Sequence, residues 1–406
     1  MKRGKYFKLR TPNNKINSKV AGLACTASKQ PHRYPEHYPN EIVSGSGAYI
    51  YDHDGLEYLD FVCSLGAITL GHRFKEVDEK VIWSIKSEGQ IFSLPHKKEE
   101  ILANILSDIL PSAERSRFAH NGADVTTAAV RLARFITGKE KVLSFSYHGA
   151  QDVFMACTKA DAGVPKCLKE TIVDIDYNDF RAVEMAFMKK DIAAVIVEPH
   201  TIREPKYGYL EFLREICTKN GALLIFDEVV SFPRYPGFSA QTYFCVYPDL
   251  TCISKGMANG YAISALCGKE KYMKELRDGG VFFSTTQGGN LVGVTAAIET
   301  LRFIVQNNVP YHLKKVGEKL NIKNNKHVKL VGYPWRQFFE CDDLVRQKIW
   351  QEMIKEGVFF GVPIFFNYSM TEEMMKDVSC KLNSIIDRMD SIRIKGRTIK
   401  EVFKKR

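Results

Sequence analysis

Apolar and polar positions along this chain change period repeatedly, and each change marks an element. Residues 47–61, GAYIYDHDGLEYLDF, alternate apolar and polar side chains around the turn signal Asp54-Gly55, which predicts a hairpin with strands over 48–52 and 57–61. Helical spacing follows over 74–88 and over 98–109, where Pro111 stops it. Short apolar runs then alternate with helix-period stretches. The runs are RFAH, KVLSFS, TIVDID, IAAVIVEP, ALLIFDE, LTCISK and ISALCG, with helices expected over 124–137, 178–189 and 209–219. Seven strands separated by helices are the signature of an α/β fold built on a large, mostly parallel sheet. From Leu291 a long helical pattern leads to a terminal region with its own strands and helices, whereas residues 1–40, polar, basic and rich in Asn and Pro, read as an arm.

Composition narrows the class of protein. The chain has 406 residues, 45% hydrophobic and 26% charged, an ordinary globular mixture with room for two or three domains. Its ten cysteines are scattered without a C-x-x-C pair, which argues against a zinc site or a disulfide scaffold and for a reducing compartment. No metal is expected. Seven Lys or Arg and no acid occur in the first twenty residues, but no apolar stretch follows to make a secretory signal, and no run has the length of a membrane span. A cytoplasmic protein is expected. The net charge of +11 sits largely at the two ends as single charges without regularly interleaved aromatics; it suits anionic small molecules better than nucleic acid.

The candidate chemistry lies at strand ends. The run 222–226 ends in Asp227-Glu228, and the run 250–254 ends in Lys255-Gly256. In an open parallel sheet the carboxyl ends of strands face the ligand crevice, so two strands could aim a carboxylate and an amine into one pocket. Pyridoxal phosphate needs that pair: a lysine to attach to and an aspartate beside the pyridine nitrogen. Taken singly, such ends are more often a cap and a solvated lysine. Asn121-Gly122-Ala123-Asp124 opens a helix and could present N–H groups to a phosphate, or simply cap it. Tyr147-His148-Gly149 ends another strand with an aromatic able to stack on a heterocycle, Glu198 ends a fourth, and Thr285-Thr286 precede Gly288-Gly289 in a polar loop.

In content and order, GAYIYDHDGLEYLDF, HNGADVTTAAVRLAR, SYHGAQD, IVEP, LLIFDEVV, SKGMANG, FFSTTQGGN and YSMTEE resemble the class III, fold-type I pyridoxal-phosphate aminotransferases. The resemblance runs from about Tyr34 to about Met389. It is strongest toward the glutamate-1-semialdehyde aminomutase branch, including its amino-sugar and polysaccharide-pathway relatives. It implies a large domain over 76–302 and a small α+β domain made from 1–75, with the arm, and 303–406. It also implies pyridoxal 5'-phosphate as cofactor, attached to Lys255, with Asp227 at the pyridine nitrogen. Tyr147 would stack on one ring face and Val229 on the other, with His148 and Glu198 nearby. Gly122 and Ala123 would donate amides to the phosphate. Thr286, or Thr285 beside it, would reach the phosphate across a homodimer interface. On the substrate side the resemblance and polarity point to Ser28, Lys29 and Arg33. The usual D-E-V-x-x-G-F-R is here DEVVSFPR, and the S-P-V-R segment of the aminomutases is absent. The expected reaction is therefore amino transfer from a donor such as glutamate to a keto or aldehyde sugar, with intramolecular aminomutase chemistry as the alternative.

Overall fold

The structure is a computed structural model describing residues 19–145, 147–277, 280–396 and 399. The basic segment 1–18 lies outside the described residues, and the arm over 19–40 consists of short 3-10 turns. The expected hairpin forms, preceded by a strand that the sequence pattern did not reveal. β1 (Ile42–Ser46), β2 (Tyr49–Asp52) and β3 (Glu57–Asp60) run antiparallel in that order. β1 is mostly exposed and includes Gly45 and two serines, so it lacked the apolar alternation that marks a strand. Asp52 fixes the turn by accepting the N–H groups of Asp54 and Leu56.

The central sheet has seven strands: β4 (Arg115–Ala119), β5 (Lys141–Ser144), β6 (Ile172–Asp174), β7 (Ile192–Val197), β8 (Leu223–Asp227), β9 (Leu250–Ile253) and β10 (Ser264–Gly268), in the order β4-β10-β9-β8-β7-β5-β6. Strands β5 to β9 pair in parallel with one another, and β10 is antiparallel to both β9 and β4. β7, β8, β9 and β10 are buried at every position, as strands covered on both faces must be. The helix Gly122–Thr137 covers one face through Val125, Ala128, Ala129, Leu132 and Ala133, and its small side chains let it approach closely. The helix Tyr209–Asn220 covers the other through Leu210, Leu213 and Cys217. The parallel strands β5, β7, β8 and β9 consequently deliver their carboxyl ends to one edge.

The helices Lys75–Ser87, Lys97–Ile109 and Leu291–Gln306 lie within one residue or so of their expected bounds. Beyond them come the helix Val309–Lys319, β11 (Lys329–Tyr333), β12 (Arg336–Glu340), the helix Asp343–Lys355, β13 (Val358–Phe359), β14 (Ile364–Phe365) and the helix Glu372–Asp387. The two ends of the chain join here. β13 adds to β3 in parallel, pairing Val358 with Leu59, and β14 pairs with β12. Phe61 stacks on Phe360 at 4.8 Å and meets Phe366 edge-on at 5.8 Å.

The turn between β11 and β12 is seated on the preceding helix. Gln337 Nε2 donates to the carbonyl of Gly317, and a Cβ added to Gly317 would lie 1.7 Å from the carbonyl oxygen of Pro334. Gly317→Ala must therefore push the helix away from β12. We expect the variant to lose about 1–3 kcal/mol in urea unfolding, outweighing the roughly 1 kcal/mol that Ala ordinarily gains over Gly inside a helix. A variant more stable than the parent would show that the contact yields freely.

Candidate active site

Lys255 follows β9 by two residues and opens the 3-10 turn Lys255–Ala258 with φ of 41°. This turn is fastened to the segment after β3. Asn259 Oδ1 accepts the N–H groups of Thr69 and Leu70, its Nδ2 donates to Gly71 O, and Thr69 Oγ1 donates to Gly256 O. A Cβ on Gly256 would stand 2.6 Å from Thr69 Oγ1 and 3.2 Å from the carbonyl of Phe232, so three segments meet there without room for a side chain. That close approach, rather than a cofactor contact, accounts for the glycine after the lysine.

The adjacent strand β8 carries Asp227, 5% exposed. Its Oδ2 lies 2.7 Å from His148 Nδ1, whose ring is fully buried, and its Oδ1 accepts the N–H of Val229. His148 thus stands behind the carboxylate and fixes its orientation. Thr126 Oγ1 donates to the His148 carbonyl, tying this loop to the helix Gly122–Thr137. Tyr147, half exposed, follows β5 at the same edge. At the helix N-terminus, Asn121 and Asp124 form a reciprocal capping box, and the first-turn N–H groups of Gly122 and Ala123 have no intrahelical acceptor. The Val229 side chain packs over Gly122, where an added Cβ would come within 2.9 Å of it.

Lys255 sits among four charges. Burial holds its amine below the ordinary lysine range; the Glu198 carboxylate opposes the shift, Arg336 adds to it, Asp227 opposes it and Arg234 adds to it. Glu198 is held by Arg336 of β12 across 3.2 Å, and the same Nη1 donates to His200 O at 2.9 Å. Sequence reading missed Arg336: it lies 138 positions from Glu198 on a strand of the other part of the chain, with no local pattern to mark it. It missed equally the left-handed turn at Cys63–Gly66, where φ is 46°, 51°, 60° and 85°. Three of these residues are not glycine, and each costs roughly 1–2 kcal/mol in that conformation. Asp60 supports the turn by accepting the N–H groups of Val62 and Cys63.

The substrate-side candidates lie around a cavity of about 360 Å³ between the arm, this turn and the helix Asp343–Lys355. Ser28 and Arg33 line it, with Leu65, Arg346, Trp350 and Val362. Lys29, exposed, reaches Ser64 Oγ at 3.5 Å instead. Thr286 is exposed, whereas the Thr285 hydroxyl is buried and unpartnered.

An amine and a carboxylate at adjacent strand ends, beside a helix N-terminus and an aromatic ring, fit pyridoxal phosphate: each chemical part of the cofactor meets a group able to hold it. The sheet and this edge define a pyridoxal-phosphate-dependent enzyme of fold type I. Comparison with known proteins narrows the class. Residues 32–329 match the family Aminotransferase class-III. The 3-aminobutyryl-CoA aminotransferase of Cloacimonas acidaminovorans is 33% identical over 92% of this chain and 94% of its own. The glutamate-1-semialdehyde 2,1-aminomutase of Haloarcula marismortui is 35% identical over 70% of this chain and 67% of its own. Among solved structures, the Sphingopyxis sp. MTA144 FumI protein in its pyridoxal-phosphate internal aldimine form superposes with a TM-score of 0.81 at 26% identity, covering 90% of this chain and 94% of that one. An omega-transaminase from Sphaerobacter thermophilus shares the fold with a TM-score of 0.80 at 22% identity, covering 92% and 98%. The chain belongs to the class III aminotransferases, and its cofactor is pyridoxal phosphate.

His200 yields a pH prediction. Burial, helped by the Arg336 charge, drives its imidazole down to about 2, so it stays neutral when folded. The unfolded chain binds a proton there near pH 6.5, so this contribution is fully present above that pH and is lost as pH falls toward 2. Neither ring nitrogen has a hydrogen-bond partner, so His200→Leu orphans nothing. Urea unfolding between pH 6 and pH 4 should show the parent losing about 1.4 kcal/mol per pH unit more than His200→Leu. Parallel pH profiles would contradict the neutral imidazole.

Proposed function

We propose that this chain catalyses amino transfer from an amino donor, with glutamate the first candidate, to a carbonyl acceptor. The observation that supports this reading above the others is the partly buried Lys255 amine at the end of β9, next to the Asp227 carboxylate at the end of β8. Pyridoxal phosphate, when bound, supplies a carbonyl to which amines attach and a protonated ring that accepts electrons. Asp227, held by His148, would keep the ring nitrogen protonated. Gly122 and Ala123 would receive the phosphate, while Tyr147 and Val229 would flank the ring. Lys255, its amine held below the ordinary lysine range, would take up and return the proton at the substrate carbon. Glu198 and Arg336 border this space.

For the acceptor, the Arg33 and Arg346 guanidinium groups at the 360 Å³ cavity suit a carbonyl compound with a carboxylate or phosphate. A phosphorylated keto or aldehyde sugar falls within that class. The aminomutase reading draws support from the Haloarcula relative's name and predicts turnover without a second substrate. The free cysteines support the cytoplasmic location expected from sequence.

The absorption spectrum tests the central reading. The purified protein should show a visible band that borohydride converts to a covalent adduct at Lys255, that glutamate bleaches, and that Lys255→Ala lacks. If added pyridoxal phosphate gives no such band in the parent, the reading is wrong.

We further propose a homodimer with a shared site. Ile82, Trp83, Phe92, Leu94 and Phe282 are each half or more exposed, far more apolar surface than a lone subunit needs there. A cavity of about 620 Å³ runs between the 92–97 stretch and the loop bearing Thr285 and Gly288. A second copy of this chain, covering that face, would bring Thr286 to its neighbour's phosphate. Mixing Thr286→Ala with Lys255→Ala subunits should restore partial activity, because one site of each hybrid is intact. A monomer in sedimentation velocity, or hybrids no more active than the parents, would count against it.

A further inference from the structure

Arg234 lies six residues beyond Glu228, the second of the acidic pair, and has no accessible surface. Its guanidinium donates to neutral acceptors: Nη1 to Phe366 O at 2.8 Å, and Nη2 to Gly66 O at 2.8 Å, to Ile68 O at 3.1 Å and to Thr69 Oγ1 at 3.4 Å. Its Nε has no partner, and its plane lies over Phe365 at 5.0 Å. Among the described residues, no Asp or Glu forms an ion pair with it. The acidic group that favours its charge is the Cys63 thiol, which burial keeps protonated. A buried guanidinium without a counter-ion is an expensive arrangement, tolerated where the charge has work elsewhere.

That work is legible from what the charge faces. The Thr69 hydroxyl that Arg234 touches also donates to Gly256 O, so one hydroxyl separates the guanidinium from the lysine turn. The other charges around Lys255 come in opposed sets. Glu198, at the end of β7, is held by Arg336 of β12, and Asp227, at the end of β8, is held by His148. Glu198 and Asp227 favour a charged amine; Arg336 and Arg234 disfavour it. Burial is the largest influence on the amine and Arg234 the smallest of the four charges, so the guanidinium adds to burial against the pull of the two carboxylates.

We propose that Arg234 is a positioning residue of the lysine site: its uncompensated buried charge opposes protonation of Lys255 while its hydrogen bonds fasten the left-handed turn at 63–66 and the stretch after β14 to the lysine turn. It acts on the amine through space and through Thr69, without touching substrate or cofactor. This rests on the reading of Lys255 as the reactive amine, but its test does not require catalysis.

The test is competitive acylation of the full-length protein, freed of cofactor, by limiting acetic anhydride across a pH series, with the Lys255 peptide quantified by mass spectrometry. Arg234→Gln keeps donors for the carbonyls and removes the charge; Arg234→Lys keeps the charge and shortens the reach. We expect the midpoint for Lys255 to rise by about one pH unit in Arg234→Gln, lowering its acylation rate about tenfold at pH values below the midpoint. Arg234→Lys should remain close to the parent. Equal midpoints in all three proteins would reduce Arg234 to a structural clamp and overturn the proposal. If Arg234→Gln fails to fold, the parent decides: a Lys255 midpoint at or above that of ordinary lysine, about 10.4, overturns the proposal. Should Lys255 show the shifts while the protein takes up no pyridoxal phosphate, the functional reading fails and this inference stands.

Discussion

A strand buried on both faces has nowhere to place a charge except its end. β7, β8 and β9 are buried along their whole length and carry no charge inside them, and the charged side chains they deliver, Glu198, Asp227 and Lys255, all appear where the strand stops. Parallel pairing then puts those ends on one edge. The helix Gly122–Thr137, packed against that sheet, turns its N-terminus toward the same edge because its chain enters from β4. The site is therefore a consequence of how the sheet excludes charge: loops place Tyr147 and His148, but the amine and carboxylate are positioned by the most rigid part of the molecule.

Much of this was legible from residues alone, for identifiable reasons. The seven strands, the long helices and the hairpin at Gly55 announced themselves by period, since each buries a regular subset of side chains. The contents of the site announced themselves by position, at the ends of apolar runs. What escaped reading depends on contacts far apart in sequence. β1 hides because an exposed edge strand needs no apolar alternation, and Arg336 because its meaning is given by Glu198. The turn at Cys63–Gly66 hides because three ordinary L-residues give no hint of a left-handed backbone; Arg234, Asp60 and the stretch after β14 impose it from outside.

The departures of this chain from the usual family pattern find a setting in that outer wall. DEVVSFPR, where the Gly-Phe pair is replaced, still brings Arg234 to the Gly66 and Phe366 carbonyls, and Phe232 approaches Gly256 closely. The guanidinium is thus the common tie of the segment after β8, the left-handed turn and the end of β14. The same wall carries Leu65 to the cavity lined by Arg33 and Arg346, so a change that loosened it would be felt at that cavity as well as at the lysine.

The pairing of β13 with β3 carries a consequence in time. β3 is synthesised some three hundred positions before Val358, its partner for Leu59. During synthesis the hairpin waits with an open edge while the whole central sheet emerges and can assemble on local crossovers. Such a long closure is slow to form and leaves an unpaired strand exposed meanwhile. Lys255 and Asp227 can therefore be in place on the sheet before the wall that encloses them exists, and a chain interrupted short of residue 358 would hold that amine and carboxylate without their enclosure.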